Sequence, residues 1–247
     1  MSVSYQLYSS RNFTPWSNVI ETLATLGYTQ VEGFGAVYDD PVRFRQLLDE
    51  NGLSMPSGHF SIEALEDDFD ATVAQARLLG VQKIFAPYLG EEDRARDTAG
   101  WTDFAARLSA IGDKLRNAGF GFGWHNHDFE FRPLEDGGIP MRILLEADPA
   151  LEWEADIAWI IRGGADPVEW IETYGHRITA AHVKDIAPDG LNADEDGWSD
   201  LGHGIVDWAG LTASLRRKGV TLFIMEHDNP SDDARFARNS IETFKSF

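Results

Sequence analysis

Apolar residues recur along this chain with two alternating periods. Short runs with the strand period of two are followed by longer stretches with a helical period, and the pair repeats to the end of the sequence. The pattern predicts strands over 3–8, 30–34, 53–59, 82–86, 151–155, 178–185 and 221–226, with a fifth strand starting at Gly119 and running into WHNHDFEF at 124–131. Between them it predicts helices over 15–26, 41–51, 62–79, 101–118, 141–147, 167–174, 208–218 and 232–247. Thr14 reads as the N-cap of the first helix, and Gly27, Gly52, Gly80 and Gly119 sit just past the last turn of theirs. Eight strand–helix units without a linker imply an α/β fold, a (β/α)8 TIM barrel occupying 1–247 as a single domain. A doubly wound open sheet is the alternative, but no GxGxxG follows the first strand.

Composition narrows the chemistry. The chain has 247 residues, 43 % of them hydrophobic and 12 % aromatic, enough for a large core. It has no cysteine, so any metal must be held by nitrogen and oxygen donors. Lys and Arg number 21 against 41 Asp and Glu, a formal charge of −20. Such a surface repels nucleic acid, whose binding rests largely on phosphate neutralisation. The opening residues lack the charged-then-apolar pattern of a signal peptide, and no apolar run approaches the ~20 residues of a membrane span. The expected setting is cytoplasmic, with no membrane partner.

In such a barrel the reactive groups stand at the C-terminal ends of the strands. Those ends supply Tyr8, Glu32, His59, His125, His127, Glu154, Asp156, His182, Lys184 and Glu226. On strand five the alternation puts Gly119, Gly121, Gly123, His125 and His127 on one face, a bare wall ending in imidazoles, and Phe120, Phe122 and Trp124 on the other. On strand six Glu152, Glu154 and Asp156 share a face, and on strand seven His182 and Lys184 do. A row of acids inside a barrel costs several kcal/mol unless a cation or hydrogen bonds compensate it. Asp156, His182, Glu226 and a group from strand five make a mixed N/O set suited to Mn, Mg, Co or Zn. A dication there polarises adjacent substrate oxygens, which is what proton abstraction next to a carbonyl needs.

The phrases QLYSSR (6–11), GHFSIE (58–63), WHNHDFEF (124–131), EADIAWIIRGGADPVEWI (154–171), HVKD (182–185) and MEHDN (225–229) resemble the sugar phosphate isomerase/epimerase family, whose members have xylose-isomerase-like barrels. The resemblance spans nearly the whole chain. It implies a metal held by groups from strands five to eight, which places His125, Asp156, His182 and Glu226 as ligands. Relatives often carry Glu where His125 stands and His where Trp159 stands. In the family's epimerases two glutamates act as paired bases; in this chain only Glu226 fits that pattern, with Glu154 or Glu130 as the other candidate carboxylate.

The expected activity is therefore a divalent-metal-dependent isomerase or epimerase acting on a sugar, keto-sugar or cyclitol. Glu226, His127, Glu154, His59 and Lys184 are the candidate proton-transfer and contact groups, and Trp159, Trp124, Tyr8 and Glu32 the candidate substrate-binding ones. A dehydratase or β-eliminating lyase is the nearest variant. A non-catalytic sugar-binding barrel and an endonuclease-like phosphodiesterase are the rivals, the latter opposed by the charge. Each residue also has a plain structural reading: Asp156 suits the N-cap of the segment after strand six, and His182 could be satisfied by a backbone carbonyl. The acidic run at 194–200 reads as a solvated lid rather than a calcium loop. A homo-oligomer is an expectation of the resemblance alone.

Overall fold

The computed structural model describes residues 3–247; Met1 and Ser2, the start of the predicted 1–247 unit, lie outside the described residues. The eight barrel strands are β1 (Ser4–Gln6), β2 (Gln30–Gly33), β3 (Ser54–His59), β4 (Lys83–Ala86), β5 (Gly121–His125), β6 (Glu152–Asp156), β7 (Ile178–Val183) and β8 (Leu222–Met225). They pair in chain order, all parallel, and β8 closes on β1. The helices are α1 (Trp16–Leu26), α2 (Pro41–Glu50), α3 (Ile62–Asp67), α4 (Phe69–Leu79), α5 (Thr98–Asn117), α6 (Pro140–Ala147), α7 (Ile157–Arg162), α8 (Pro167–Tyr174), α9 (Trp208–Arg217) and α10 (Asp233–Phe244). The alternating pattern thus produces the (β/α)8 TIM barrel it predicts. Among the described residues no helix is long and apolar enough to cross a membrane.

The strand period of two sorts side chains into two environments. Outward residues such as Tyr5, Val31, Ile84, Phe122, Trp124, Trp153, Val183 and Met225 join the large core beneath the helices. Inside the barrel Phe85, Ala180 and Ile224 form a separate small apolar floor, with Leu222 against it. Inward positions further along the strands are polar, and they make the ring described below.

Several local expectations are corrected. β1 stops at Gln6, whose Oε1 accepts the Tyr8 N–H at 3.0 Å and turns the chain into a 3-10 segment, Leu7–Ser10. Pro15, not Thr14, is the N-cap of α1, and no side chain caps it. The helix predicted over 62–79 is two helices, because Asp68 leaves helical geometry (φ −139, ψ 56); the Thr72 hydroxyl bridges the break by donating to the Ala64 carbonyl at 2.9 Å. α7 is an additional turn, capped by Asp156.

The glycine face of β5 is not an open wall. A Cβ on Gly123 would lie 2.8 Å from the Phe85 ring and 2.6 Å from the Glu152 carbonyl oxygen, so neighbouring strands fill that space. Gly119 lies before the strand, in a left-handed conformation (φ +91) closing α5.

The 194–200 run is solvated only in part: Asp194 and Asp196 are exposed, but the rest is anchored. Glu195, Ser199 and Asp200 are buried, and Arg235 on α10 donates to Glu195 at 2.9 Å and to Asp200 at 3.0 Å. β7 ends at Val183 because Asp185 turns aside, its carboxylate accepting the N–H groups of Ile186, Gly202, Gly204 and Val206. That clamp starts a short antiparallel pair, Asp185–Ile186 with Trp198–Ser199, which carries Trp198.

Candidate active site

Strand six shows how a row of acids, half-buried at Glu152 and buried at Glu154 and Asp156, is tolerated: each has its own cationic or imidazole partner. Near the N-terminal end of β6, Glu152 pairs with Lys83 at 2.5 Å. One step on, Glu154 Oε2 lies 2.6 Å from His59 Nε2, 3.0 Å from His125 Nδ1 and 3.3 Å from His182 Nε2. At the end of the strand, Asp156 Oδ2 lies 3.1 Å from Lys184 Nζ, while its Oδ1 accepts the Trp159 N–H at 3.0 Å. Capping and a role in the site therefore coexist in Asp156.

His182 joins two levels. Its Nε2 points to the deeper one, 2.7 Å from Glu32 Oε2, and its Nδ1 points to the outer one, 2.9 Å from Glu226 Oε2. Glu32 is fixed by Gln6, which donates from Nε2 at 2.8 Å. The outer level is gathered around Lys184. Its ammonium is 2.8 Å from Glu226 Oε2, 2.8 Å from Asp228 Oδ2 and 3.1 Å from Asp156 Oδ2.

Burial and mutual charge spread the protonation states of this cluster. Burial raises Glu32, and the neighbouring Glu154 charge adds to that. Glu154 is held well below the usual range, because His182, His59 and the imidazole hydrogen bonds outweigh its burial. Asp156 is pushed up to about 7 by burial, with Glu226 and Asp228 opposing the attraction of Lys184. Glu226 stays well below the usual range, since Lys184 and His182 overcome its burial. Burial, with His182 beside it, drives His125 down to about 3, so that imidazole is neutral. Burial disfavours charge on His182 too, but Glu154, Glu226 and Glu32 together hold it well above the ordinary histidine value. Lys184 stays protonated for the same reason, its three carboxylates outweighing burial.

Two overlapping groups have ligand atoms within 4.8 Å of one another: His59, His125, Glu154 and His182, and Asp156, His182 and Glu226. Glu32 Oε1 and Glu154 Oε1 are buried without a hydrogen-bond partner, while Asp156 Oδ2 has the Lys184 ammonium beside it. Glu32, Glu154, Asp156, Glu226 and Asp228 share one small volume with Lys184 and the imidazoles of His59, His125 and His182. That is an excess of anionic donors with unused lone pairs. The donor set fits a divalent cation.

The sequence-predicted residues thus converge, with two exceptions. Trp124 lies on the outer side of β5, fully buried against Phe104, and donates from Nε1 to Glu130 Oε1 at 2.9 Å. It cannot reach the ring, and Glu130, its acceptor, is turned away with it. Tyr8 stands on the rim, 37 % exposed, edge-on to Phe34 and beneath Arg11. His127 and Trp159 face each other at the mouth, ring centroids 5.4 Å apart, and Trp198 packs edge-on against Trp159. Asp228 and Gln6 are functional neighbours that strand-end reading passed over. Gln6 had a signal, since it follows Ser4 on the inward face of β1, whereas Asp228 lies in the loop after β8, where the period of two no longer applies. A cavity of about 580 Å³ opens at the other end of the barrel, lined by Gln30, Lys83 and Leu222 among others. It is remote from this cluster and lies at the end of the fold that does not carry chemistry.

A closed parallel barrel with its ionisable groups at the C-terminal strand ends defines the class, and the sequence profile of the xylose isomerase-like TIM barrel matches residues 20–247. The chain belongs to that family. Among solved structures, it is similar to a sugar phosphate isomerase/epimerase from Parabacteroides distasonis, with 21 % identity, TM-score 0.84, and 99 % of this chain and 93 % of that one covered. It is also similar to the IolI protein with a bound zinc atom (13 % identity, TM-score 0.80, 100 % and 97 % covered). A third is the 3-keto-D-glucoside 4-epimerase YcjR from E. coli (14 % identity, TM-score 0.73, 100 % of both chains covered). No curated protein matches the chain.

Proposed function

We propose that this protein is a divalent-cation-dependent isomerase or epimerase that removes a proton next to a carbonyl of a sugar, keto-sugar or cyclitol. The observation that carries the reading is the buried, polar mouth of the barrel: carboxylates with unpartnered oxygens interleaved with imidazoles and one ammonium. The family match supports it, as do structural neighbours described as an isomerase/epimerase, an epimerase and a zinc-binding protein. A bound dication supplies Lewis acidity toward adjacent substrate oxygens.

The chain's own residues divide the remaining work. Lys184, permanently charged, faces negative charge developing on a carbonyl oxygen. Asp156, at about 7, is matched to proton transfer near neutrality; Glu226, held ionised by Lys184 and His182, is the weaker base. Desolvation of the half-buried ring, with His125 and Lys184 beside it, holds His127 well below the ordinary histidine value, and its Nδ1 has no hydrogen-bond partner, so the neutral ring can take or return a proton at the mouth. Trp159, only partly buried, offers a flat surface for the apolar face of a sugar ring, and the fully buried Trp198 packs edge-on behind it. A carboxyl and an imidazole of such different character also suit elimination, in which one removes a proton and the other protonates a leaving hydroxyl.

The test is a metal-supplemented screen of keto-sugars, inososes and 3-keto-glycosides in deuterated water, read by NMR. Solvent deuterium at the carbon next to the carbonyl is expected, and a product short of one water would move the assignment to a lyase. Turnover with no solvent deuterium would sink the proton-abstraction reading.

A further inference from the structure

Lys184 sits where the ion of the expected Asp156–His182–Glu226 site would compete with it. Its ammonium is within 3.1 Å of Asp156 Oδ2 and 2.8 Å of Glu226 Oε2, and Asp228 holds it from a third side. The side chain is 1 % exposed, so it has no solvent to swing into. An ammonium and a dication cannot share these oxygens without strong repulsion.

We propose that the divalent cation of this protein is held one level deeper, by His59, His125, Glu154 and His182, and that Lys184 is the fixed cation of the outer carboxylates. This rests on the reading of the protein as a dication-dependent enzyme and says which side chains ligate. Four strands, β3, β5, β6 and β7, deliver these groups to one point. The imidazole nitrogens of His59, His125 and His182 all surround Glu154 Oε2, at 2.6, 3.0 and 3.3 Å. Ligands ~2.0–2.1 Å from a tetrahedral ion stand roughly 3.3–3.4 Å apart, a spacing reached by small rotations of these rings. Glu154 Oε1, buried and unpartnered, is a free lone pair beside them.

The surrounding hydrogen bonds suit the deeper position as well. His182 turns Nε2 to the deeper level, 2.7 Å from Glu32 Oε2 and 3.3 Å from Glu154 Oε2, and Nδ1 to Glu226 at 2.9 Å. A ligating imidazole whose other nitrogen donates to a carboxylate is the usual support of a metal site. Glu226 then orients a ligand rather than serving as one. Three imidazoles with one carboxylate select Zn²⁺ or Co²⁺ over Mg²⁺, which prefers oxygen donors.

The test compares the wild-type chain with His125→Asn, Glu154→Gln and Asp156→Asn, each loaded with Zn²⁺ or Cu²⁺ and desalted. Bound Zn²⁺ is counted by elemental analysis, and electron paramagnetic resonance of the Cu²⁺ form reads nitrogen couplings. Expected are about one ion per chain in the wild type and in Asp156→Asn, couplings to several imidazole nitrogens, and affinity at least ~10-fold weaker in the other two variants. Circular dichroism checks folding, and His59→Gln, at a partly exposed position, replaces any variant that fails to fold. Loss of the ion in Asp156→Asn with retention in His125→Asn and Glu154→Gln, or coupling to a single imidazole, would return the metal to the outer set. That result overturns the placement and leaves the metal-dependent reading standing. A wild-type chain that retains no ion under any loading overturns both.

Discussion

Lys184 Nζ donates to Asp228 Oδ2 at 2.8 Å, a link between the end of β7 and the loop after β8. Asp228 touches none of the imidazoles of the inner ring, so its effect passes through the ammonium it holds. Asp228→Asn keeps an oxygen acceptor and removes one negative charge from the lysine's surroundings. The expected result is a fall in kcat/KM of about tenfold, equal to ~1.4 kcal/mol, with metal content unchanged. An unchanged rate would reduce Asp228 to a loop tether.

Removing the ammonium itself is a larger perturbation. Lys184→Met leaves Asp156, Glu226 and Asp228 facing one another without their common cation. Breaking a buried ion pair from one side costs about 3–5 kcal/mol, and the urea midpoint should shift accordingly. The deficit should shrink as pH falls and the stranded carboxylates protonate. A variant as stable as the wild type would mean that these acids already carry protons in the folded state.

Much of this architecture is legible in the sequence, and the failures share a cause. The eight strands, the facing of Glu154 and Asp156 and the pairing of His182 with Lys184 follow from the period of two, which the backbone enforces locally. Asp228 and the Asp185 clamp depend on loops that close against distant elements, 44 and up to 21 residues apart in sequence. No local period encodes them. Trp124 illustrates the opposite error: its face on β5 was readable, yet an aromatic beside two histidines invited a binding role. The glycines of β5 mislead likewise, since a missing side chain signals close approach as readily as open space. The order of the ligands in depth is also invisible to alternation, because Glu154 and Asp156 share a face and only their neighbours distinguish them.

Asp185 is a structural keystone by the same logic. One carboxylate accepts four backbone N–H groups, from Ile186 at 2.8 Å, Gly202 at 2.9 Å, Val206 at 3.1 Å and Gly204 at 3.2 Å. Gly204 must stay bare, because a Cβ there would overlap the Asp185 carboxylate and the Ile186 carbonyl. Asp185→Ala leaves these donors to water or to nothing, at ~1–3 kcal/mol for each one that stays buried and unpaired. Hydrogen exchange should accelerate at the N–H groups of residues 202, 204 and 206. Gly204→Ala should reproduce that loosening; protection equal to wild type in both variants would remove Asp185 from this role.

His227 gives the fold a defined acid response. It is fully buried, packed on Phe236; its Nδ1 accepts the Asn229 N–H at 3.1 Å and its Nε2 has no partner. Burial drives its pKa from 6.5 down to about 4, against the attraction of Glu195, whose Oε2 is 3.6 Å away, and of Asp200. Lys184 and Arg235 oppose protonation from the other side. Above pH 6.5 the ring is neutral in both folded and unfolded chains and contributes no pH dependence. Between 6.5 and about 4 the unfolded chain takes up a proton that the folded chain refuses, so stability falls as pH falls, by up to ~3 kcal/mol at 1.36 kcal/mol per unit. Below about 4 both states are protonated and this contribution levels off. His227→Gln keeps a polar side chain without the titration, so its stability should decline less than the wild type's across that window. Urea unfolding of both proteins at pH 7, 6, 5 and 4 measures the difference. Parallel curves would show that the folded protein admits the charge, with Glu195 as its counter-ion.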